Sequence, residues 1–172
     1  MKKKIYKLLI LFSLLCAATS ALLSFHNAGF RVNRSASLPG VLYRATPLYE
    51  NEPVFRGDIV LIDLSKISNP VISRGVERGY VNMREPMLKR IGATPGDSVT
   101  LESDLLCVKG VVSRAVVAPF DSYGGPLSAW PTPITLKPGQ YWLVSDPERG
   151  FDSRYFGPVD RKAFTHRAKP VF

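Results

Sequence analysis

The chain begins with one long apolar run and then changes to short apolar runs separated by turn residues. Residues 8–25 form 18 consecutive uncharged positions rich in Leu, Ile, Phe and Ala, and four lysines precede them. This length lies between the apolar core of a cleaved signal, about 7–15 residues, and a full membrane span of roughly 20. A basic flank is typical of the cytoplasmic side. We therefore expect residues 1–29 to be a signal sequence or a membrane anchor, and residues 30–172 to lie in the periplasm at the outer face of the cytoplasmic membrane.

The rest of the chain has the pattern of a β protein. Short runs of β-branched and aromatic residues recur between turns that contain Gly, Pro and Asp. The predicted strands are residues 41–44, 59–64, 87–92, 98–101, 105–108, 111–117, 141–145 and 164–172. Lys109 and Gly110 are predicted at a hairpin tip. The helix candidate is residues 71–81, although Gly75 and Gly79 weaken its apolar stripe.

This pattern predicts a mainly β fold, an antiparallel sheet with few short helices, preceded by an N-terminal membrane-directing helix. The 14 prolines argue against a helical bundle, because proline interrupts helices. Residues 118–140 are rich in Pro and Gly and are predicted to be a loop excursion inside the domain formed by residues 30–172. A chain of 172 residues with 45% hydrophobic and 22% charged positions is long and apolar enough to bury a core, which excludes a disordered or collagen-like protein.

The net charge of +9 does not alter the predicted class of protein. Removing the four N-terminal lysines from the 23 basic residues leaves 19 against 14 acidic residues, and the two kinds are interspersed. Mixed charges of this sort are typical of a solvated surface, so we expect no nucleic-acid partner. A nucleic-acid-binding β-barrel would also need exposed aromatic residues between basic ones on its strands.

Few residue types are present for common kinds of catalysis. The chain has two histidines, His26 and His166, and two cysteines, Cys16 and Cys107, with no spacing typical of a metal site. It has neither a phosphate-binding glycine loop nor a GxSxG motif, so we expect no metal and no cofactor. A Ser-His-Asp triad would depend entirely on His166. A serine activated by a lysine is the remaining arrangement for nucleophilic catalysis.

Two serines and one lysine fit that arrangement. Ser35 and Ser37 lie about ten residues beyond the apolar run, shortly before a Pro-Gly turn at residues 39–40. Lys89 lies in a predicted strand, where alternation places it on the same face as Met87 and Ile91. Burial there would lower the lysine pKa by about 2–3 units and leave free amine near neutral pH. The alternative is an edge-strand lysine whose ammonium group reaches water.

These residues belong to four blocks that occur in a recognisable order. An apolar N-terminal segment is followed by residues 35–39 (SASLP), 56–61 (RGDIVL), 89–97 (KRIGATPGD), and then 145–146 (SD) with 151–159 (FDSRYFGPV). The combination resembles the type I signal (leader) peptidase family, over nearly the whole chain outside residues 118–140. The resemblance implies a signal-peptidase-like β fold and a serine endopeptidase.

The resemblance also implies roles for single residues. Ser37 is the nucleophile and Lys89 the general base, while the Ser37 backbone N–H and the Ser35 hydroxyl stabilise the oxyanion. Asp152 and Arg154 support the loop beside the lysine.

The structural interpretation of that last pair is an ion pair, either within the pair or to Arg90 or Asp58. Arg90 is itself expected to be an ion-pair partner or a solvated charge, because its guanidinium stays protonated.

Two departures from the family pattern point to a subgroup. Pro39 follows the expected nucleophile by two residues, where housekeeping enzymes usually have it three on, and Gly150 occupies a position where those enzymes often carry a serine near the lysine. The short chain and the block 37–44 (SLPGVLYR) resemble the TraF-type peptidases of plasmid conjugation systems.

This resemblance implies a pilin precursor as substrate, trimmed at its C-terminus and cyclised through an acyl-enzyme, with the cytoplasmic membrane and other conjugation proteins as partners. The alternatives are a general hydrolytic signal peptidase and a non-catalytic periplasmic scaffold of a conjugation apparatus.

Overall fold

The computed structural model describes residues 2–33 and 37–171, and for Lys2 the backbone alone. A single long helix, α1 (Lys2–Asn27), precedes the body of the protein. Residues Lys3–Asn27 are long and apolar enough to cross a membrane, and none of their side chains is buried against the rest of the molecule. The N-terminal helix predicted from the sequence is therefore confirmed as a helix.

The described part of the body contains eleven strands and two short helices. The strands are β1 (Phe30–Val32), β2 (Leu42–Pro47), β3 (Ile59–Ile62), β4 (Met87–Ala93), β5 (Ser98–Glu102), β6 (Leu105–Val108), β7 (Val111–Arg114), β8 (Ile134–Thr135), β9 (Gln140–Val144), β10 (Val159–Asp160) and β11 (Phe164–Pro170). The helices are α2 (Pro70–Glu77) and α3 (Ser153–Phe156), and 3-10 turns form at Leu64–Lys66 and Arg161–Ala163.

The strands form two antiparallel sheets. The larger sheet has the order β1-β2-β11-β3-β4-β9-β10, and the smaller one has the order β7-β6-β5-β8. The prediction of a mainly β fold built from antiparallel sheet with few short helices is confirmed.

Several element boundaries differ from the predicted ones for local reasons. The predicted run 59–64 ends as a strand at Ile62, because the Asp63 side chain caps a 3-10 turn by accepting a hydrogen bond from Ser65 N–H. The predicted run 111–117 leaves the sheet after Arg114, and Val117 N–H then donates to the Asp104 side chain. Strands β1, β8 and β10 were missed, since two or three residues are too few to show an alternating pattern.

The helix predicted over residues 71–81 is shorter in the structure. Asn69 caps its start by accepting from Val71 N–H, and the helix ends at Glu77, just before Gly79, which has a φ of +79°. Tyr80 and Val81 N–H then both donate to the carbonyl of Gly75. The predicted hairpin tip is confirmed, because Lys109 and Gly110 both have positive φ between the paired residues at the ends of β6 and β7.

Strand β4 lies in the interior of the larger sheet, between β3 and β9. Two clusters of buried side chains cover opposite faces around it. Val60 and Ile91 belong to one cluster, and Leu61 and Leu88 to the other, as the two-residue period of a strand requires. This packing determines the surroundings of Lys89, which shares a face with Ile91.

Candidate active site

Lys89 is one of the most completely buried side chains of the protein. It is 1% exposed, and β4 is hydrogen-bonded on both sides, to β3 and to β9. The alternative interpretation of Lys89 as an edge-strand charge that reaches water is therefore wrong.

The end of the Lys89 side chain contacts two hydroxyl groups. Its Nζ lies 3.2 Å from Ser37 Oγ and 2.7 Å from Ser145 Oγ. The structure thus brings together the two residues that the sequence singled out for the chemistry, and it adds a third.

The loop that carries Ser37 is fixed to the sheet by backbone contacts. Asp146 N–H donates to the carbonyl of Ser37 at 2.8 Å, which joins this loop to the residue that follows Ser145. The Asn33 side chain donates to the carbonyls of Leu38 (2.9 Å) and Gly40 (3.1 Å). The Tyr43 hydroxyl donates to the carbonyl of Pro39. The turn after Ser37 is therefore held from both of its sides.

Ser145 is positioned by strand pairing. In the antiparallel pair of β4 and β9, Arg90 lies opposite Val144, so Ser145 follows directly across from Lys89. Ser145 is 7% exposed, and its N–H donates to Asp152 Oδ2 at 2.8 Å. From the sequence, Ser145 was predicted only as part of the block 145–146, without a role of its own. The antiparallel pairing of β4 with β9 is the signal that identifies it.

Gly150 provides the space that the Ser145 side chain occupies. A Cβ added at Gly150 would lie 2.4 Å from Ser145 Cβ and 2.6 Å from its Oγ. A serine at position 150, as many relatives were expected to have, is therefore incompatible with Ser145 in its present position. Position 150 therefore carries no hydroxyl in this chain, and Ser145 brings a hydroxyl to Lys89 from a different position.

Asp152 and Arg154 form a buried ion pair with each other. Asp152 is 1% exposed and Arg154 3%, and the guanidinium donates to both carboxylate oxygens at 2.8 Å. Arg154 also donates to the carbonyls of Val116 (3.0 Å) and Glu148. Asp152 caps α3 and accepts from Ser145 N–H, so the pair supports the loop beside Lys89.

Arg90 and Asp58, the other two residues predicted to support the site, pair with different partners. Arg90 makes two hydrogen bonds to Asp146, at 2.8 and 2.7 Å. The hydrogen bonds from Arg90 to Asp146 and the charge of that carboxylate hold the Arg90 pKa above its ordinary value. Asp58 instead pairs with Arg167 at 3.2 Å and accepts from Phe55 N–H at 3.0 Å. The structure therefore pairs neither Arg90 nor Asp58 with Asp152 or Arg154.

Burial changes the acidity of Lys89. It lowers the Lys89 pKa from 10.5 to about 8; the Asp152 carboxylate acts in the opposite direction, and the Arg154 guanidinium lowers the pKa further. With a pKa of about 8, roughly a tenth of the side chains are neutral at pH 7 and about half at pH 8. A neutral amine at hydrogen-bond distance from a serine hydroxyl can accept its proton.

The other candidate residues from the sequence add little to the site around Lys89. Ser35, expected to stabilise the oxyanion, lies outside the described residues. His166 lies on β11 with its Nδ1 3.0 Å from the Thr165 hydroxyl, and burial lowers its pKa. Within residues 2–33 and 37–171 there is no group of three or more His, Cys, Asp or Glu residues that could hold a metal ion.

Two hollows are formed by the segments that lead to and from the Ser37–Lys89 pair. The larger, of about 690 Å³, is lined by residues 30–33, which approach Ser37, and by residues 85–88, which approach Lys89. The smaller, of about 270 Å³, is lined by Pro39, Tyr43 and Arg90, which follow the two residues. Neither hollow is lined by Ser37, Lys89 or Ser145 themselves.

Comparison with known proteins identifies the family of the chain. The family described as "signal peptidase, peptidase S26" matches residues 3–172. The chain is 30% identical over 150 residues to "Conjugal transfer protein TraF" of Agrobacterium fabrum, with 84% of this chain and 82% of the relative covered. It is 31% identical over 153 residues to "Plasmid transfer protein TraF" of Escherichia coli, with 84% and 83% covered.

Among solved structures, a signal peptidase I from Enterococcus faecalis matches with a TM-score of 0.39 and 23% identity, over 66% of this chain and 94% of that one. The family match extends over nearly every residue of the chain, including the segments that carry Ser37, Lys89, Ser145 and the Asp152–Arg154 pair. The chain therefore belongs to the signal peptidase family.

Proposed function

We propose that the protein is a membrane-associated serine endopeptidase in which Ser37 and Lys89 form a catalytic dyad. One observation carries the proposal: the Lys89 amine lies 3.2 Å from Ser37 Oγ while it is 1% exposed. Burial keeps a useful fraction of that amine neutral near pH 8, and the hydrogen bond places it where a general base must be.

The first half-reaction forms an acyl-enzyme. Ser37 Oγ attacks the carbonyl carbon of the scissile peptide, and its proton passes to Lys89 Nζ. The tetrahedral intermediate collapses, the C–N bond breaks, and Lys89 returns the proton to the leaving amine. The acyl group then remains as an ester on Ser37, and Lys89 is neutral again and ready to activate the next nucleophile.

Hydrogen-bond donors for the oxyanion are carried over from the family resemblance. They are the Ser37 backbone N–H and the Ser35 hydroxyl. Loss of one such donor typically lowers kcat by about 100- to 1000-fold.

Ser145 acts on Lys89 and makes no contact with the scissile bond in this proposal. Its hydroxyl accepts a hydrogen bond from Lys89 Nζ at 2.7 Å and so restricts the rotation of the amine. Asp152 holds the Ser145 backbone, and Arg154 holds Asp152. Ser145, Asp152 and Arg154 are therefore positioning residues.

The substrate we propose is a conjugative pilin precursor, processed in the periplasm at the outer face of the cytoplasmic membrane. The support is the similarity to proteins named for conjugal and plasmid transfer. The acyl-enzyme is attacked by the α-amine of the same pilin chain, so that a peptide bond closes the ring and Ser37 is regenerated. A tethered amine competes well with water because its effective concentration is high.

Intact-mass analysis of the pilin tests this proposal. The pilin encoded with this protein is coexpressed with the wild type, with Ser37→Ala, and with Ser113→Ala, a matched change at an exposed serine on β7. We expect a product lighter by one water than the linear trimmed chain with the wild type and Ser113→Ala, and unprocessed precursor with Ser37→Ala.

The alternatives give different masses. A trimmed product that has lost no water would assign the chain as a hydrolytic signal peptidase, which the family match also supports. Unprocessed precursor with the wild type would contradict the proposal and favour the scaffold alternative.

A further inference from the structure

The turn that carries Ser37 is hydrogen-bonded along its whole length, because the carbonyl of every residue from 37 to 40 accepts a hydrogen bond. We name residues 37–40 the nucleophile turn. Asp146 N–H donates to the first carbonyl and the Tyr43 hydroxyl to the third. The second and the fourth both accept from Nδ2 of Asn33, at 2.9 and 3.1 Å. One side chain therefore holds two points of the turn.

Asn33 is itself fixed by the larger sheet. It directly follows β1, and its backbone N–H donates to the carbonyl of Val41 at 2.7 Å, just before β2. This contact continues the antiparallel pairing of the two strands, in which Val32 lies opposite Leu42. The Asn33 amide thus joins the nucleophile turn to the edge of the sheet.

The two side-chain contacts of Asn33 require an amide. Both partners are carbonyl oxygens, which only accept, so the group between them must supply two N–H bonds. Asparagine supplies both from one nitrogen, whereas a hydroxyl supplies one donor and a carboxylate none. Position 33 therefore needs a side chain with two donors close to the backbone.

Apolar packing does not provide the same control over the Ser37 hydroxyl. Leu38 is 3% exposed and belongs to the same buried cluster as Leu88, the residue before Lys89. This contact brings the nucleophile turn to strand β4, but hydrophobic contacts have no preferred direction. The hydrogen bonds to the carbonyls of the turn are directional, so they restrict how the turn is oriented.

We infer that Asn33 is a positioning residue for the reaction, whose amide fixes the nucleophile turn so that Ser37 Oγ stays within reach of Lys89 Nζ during acylation. The inference rests on the proposed function. It adds a residue outside both the catalytic dyad and the group of residues that positions Lys89, because Asn33 acts on the serine and that group acts on the lysine.

A series of variants at position 33 tests the inference by the number of donors. Asn33→Leu removes both donors at similar size, and Asn33→Ser retains one. We expect kcat to fall about 10- to 100-fold in Asn33→Leu and less in Asn33→Ser, with KM within about twofold of the wild type, because a displaced hydroxyl slows acylation. Asn51→Leu, at an exposed asparagine, is the control and should leave kcat within about twofold. An unchanged kcat in both variants at position 33 would overturn the inference.

The pH profile distinguishes a displaced Ser37 from a disturbed Lys89. The charged groups that act on Lys89 are Asp152 and Arg154, and burial lowers its pKa to about 8. Asn33→Leu leaves all of these unchanged, so kcat/KM should still rise through pH 8 and reach a lower plateau. A midpoint that moves towards the ordinary lysine value would show that the substitution acts through the base, and would overturn the inference.

A measurement without substrate separates this inference from the proposed function. In a Ser37→Cys variant, the Lys89 ammonium should lower the pKa of the new thiol, and the pH dependence of its alkylation by iodoacetamide measures that pKa. Peptide masses distinguish position 37 from Cys16 and Cys107. Adding Asn33→Leu should return the thiol pKa to about 8.5.

The two kinds of failure then give different results. A thiol pKa that is the same with and without Asn33→Leu would overturn the inference, even if the wild type processes the precursor. Absence of processing by the wild type would contradict the proposed function, and the thiol pKa would still decide whether Asn33 holds position 37 beside Lys89.

Discussion

The ammonium group of Lys89 lies inside a sheet among apolar side chains, in contact with two serine hydroxyls. Alternation along residues 87–91 was sufficient to predict that this lysine shares a face with apolar neighbours. The position of Ser145 could not be obtained in the same way. A bulge between Ile91 and Ala93 shifts the pairing of β4 with β9, and a one-residue shift changes which side chain lies opposite Lys89.

Processing should depend on pH through Lys89. Because its pKa is lowered to about 8, the neutral base increases as pH rises through that value. We expect kcat/KM to rise about tenfold per unit below pH 7.5 and to level off above pH 8.5. Initial rates between pH 6 and 10 check this, and a profile that is flat across pH 8 would show that Lys89 is not the group that titrates.

The same burial should lower stability at neutral pH. The unfolded chain holds the lysine proton up to about pH 10.5, whereas the folded protein releases it near pH 8, so the free energy of unfolding increases as pH rises between these values. The full change amounts to about 3 kcal/mol. We expect Lys89→Met to be more stable than the wild type by about 1–3 kcal/mol at pH 7, with the difference lost by pH 10.5.

Urea unfolding in detergent micelles at pH 7 and pH 10.5 measures that difference. Lys162→Met, at an exposed lysine, is the control and should change the free energy of unfolding by less than about 0.5 kcal/mol. A Lys89→Met variant that is less stable than the wild type at pH 7 would contradict the assignment of a lowered pKa.

The serine beside Lys89 should be transferable between two positions. Gly150→Ser alone should lower kcat, because its Cβ would lie 2.4 Å from Ser145 Cβ and displace that side chain. Ser145→Gly alone should lower kcat by about 10- to 100-fold with little change in KM, since it leaves the amine less restricted.

The double variant Ser145→Gly/Gly150→Ser supplies one hydroxyl without the clash. We expect it to recover kcat relative to both single variants, measured as single-turnover rates of precursor processing. A double variant as slow as the product of the two single effects would show that Ser145 does not position Lys89 through its hydroxyl.

Among the secondary-structure elements, strand β9 and helix α3 are joined by one short loop, and this loop also contributes residues to the site. Asp152 caps α3, accepts from the Ser145 N–H and pairs with Arg154, all within the interior. The sequence indicated an ion pair here but left its partner open, because residues two apart in a loop pair only if the backbone bends them together. The N-terminal turn of α3 produces that bend.

The buried pair should be far more sensitive to substitution than an exposed one. Arg154→Lys keeps the charge but loses the two-pronged hydrogen bonding, so we expect the free energy of unfolding to fall by about 1–3 kcal/mol. Arg114→Lys, in an exposed pair with Glu148 at 3.4 Å, should change it by less than about 0.5 kcal/mol. Urea unfolding of both variants checks this, and equal effects would show that burial does not strengthen the Asp152–Arg154 pair.

For the molecule as a whole, the sequence predicted the fold class and the central strands of the larger sheet, but it did not predict the short strands at the edges of that sheet. The buried strands β3 and β4 have strong apolar patterns, and the hairpin at Lys109 has a local turn signal, so these elements were predictable. Strands β1 and β10 form at the two edges of the larger sheet, and with three and two residues they are too short to show an alternating pattern. The larger hollow depends on β1, since residues of that strand line it together with the end of α1 and the segment before Lys89.

If Ser37 is acylated with Lys89 as its base, the acyl-enzyme can be trapped during the first turnover. The full-length enzyme is mixed with the pilin precursor, quenched in acid within one turnover, and analysed by intact mass and peptide fragmentation. We predict a mass gain equal to the acyl part of the precursor, located on Ser37 in the wild type and absent in Lys89→Met. An acyl group on another residue, or acylation of Lys89→Met at the wild-type rate, would show that Ser37 and Lys89 do not form the catalytic dyad.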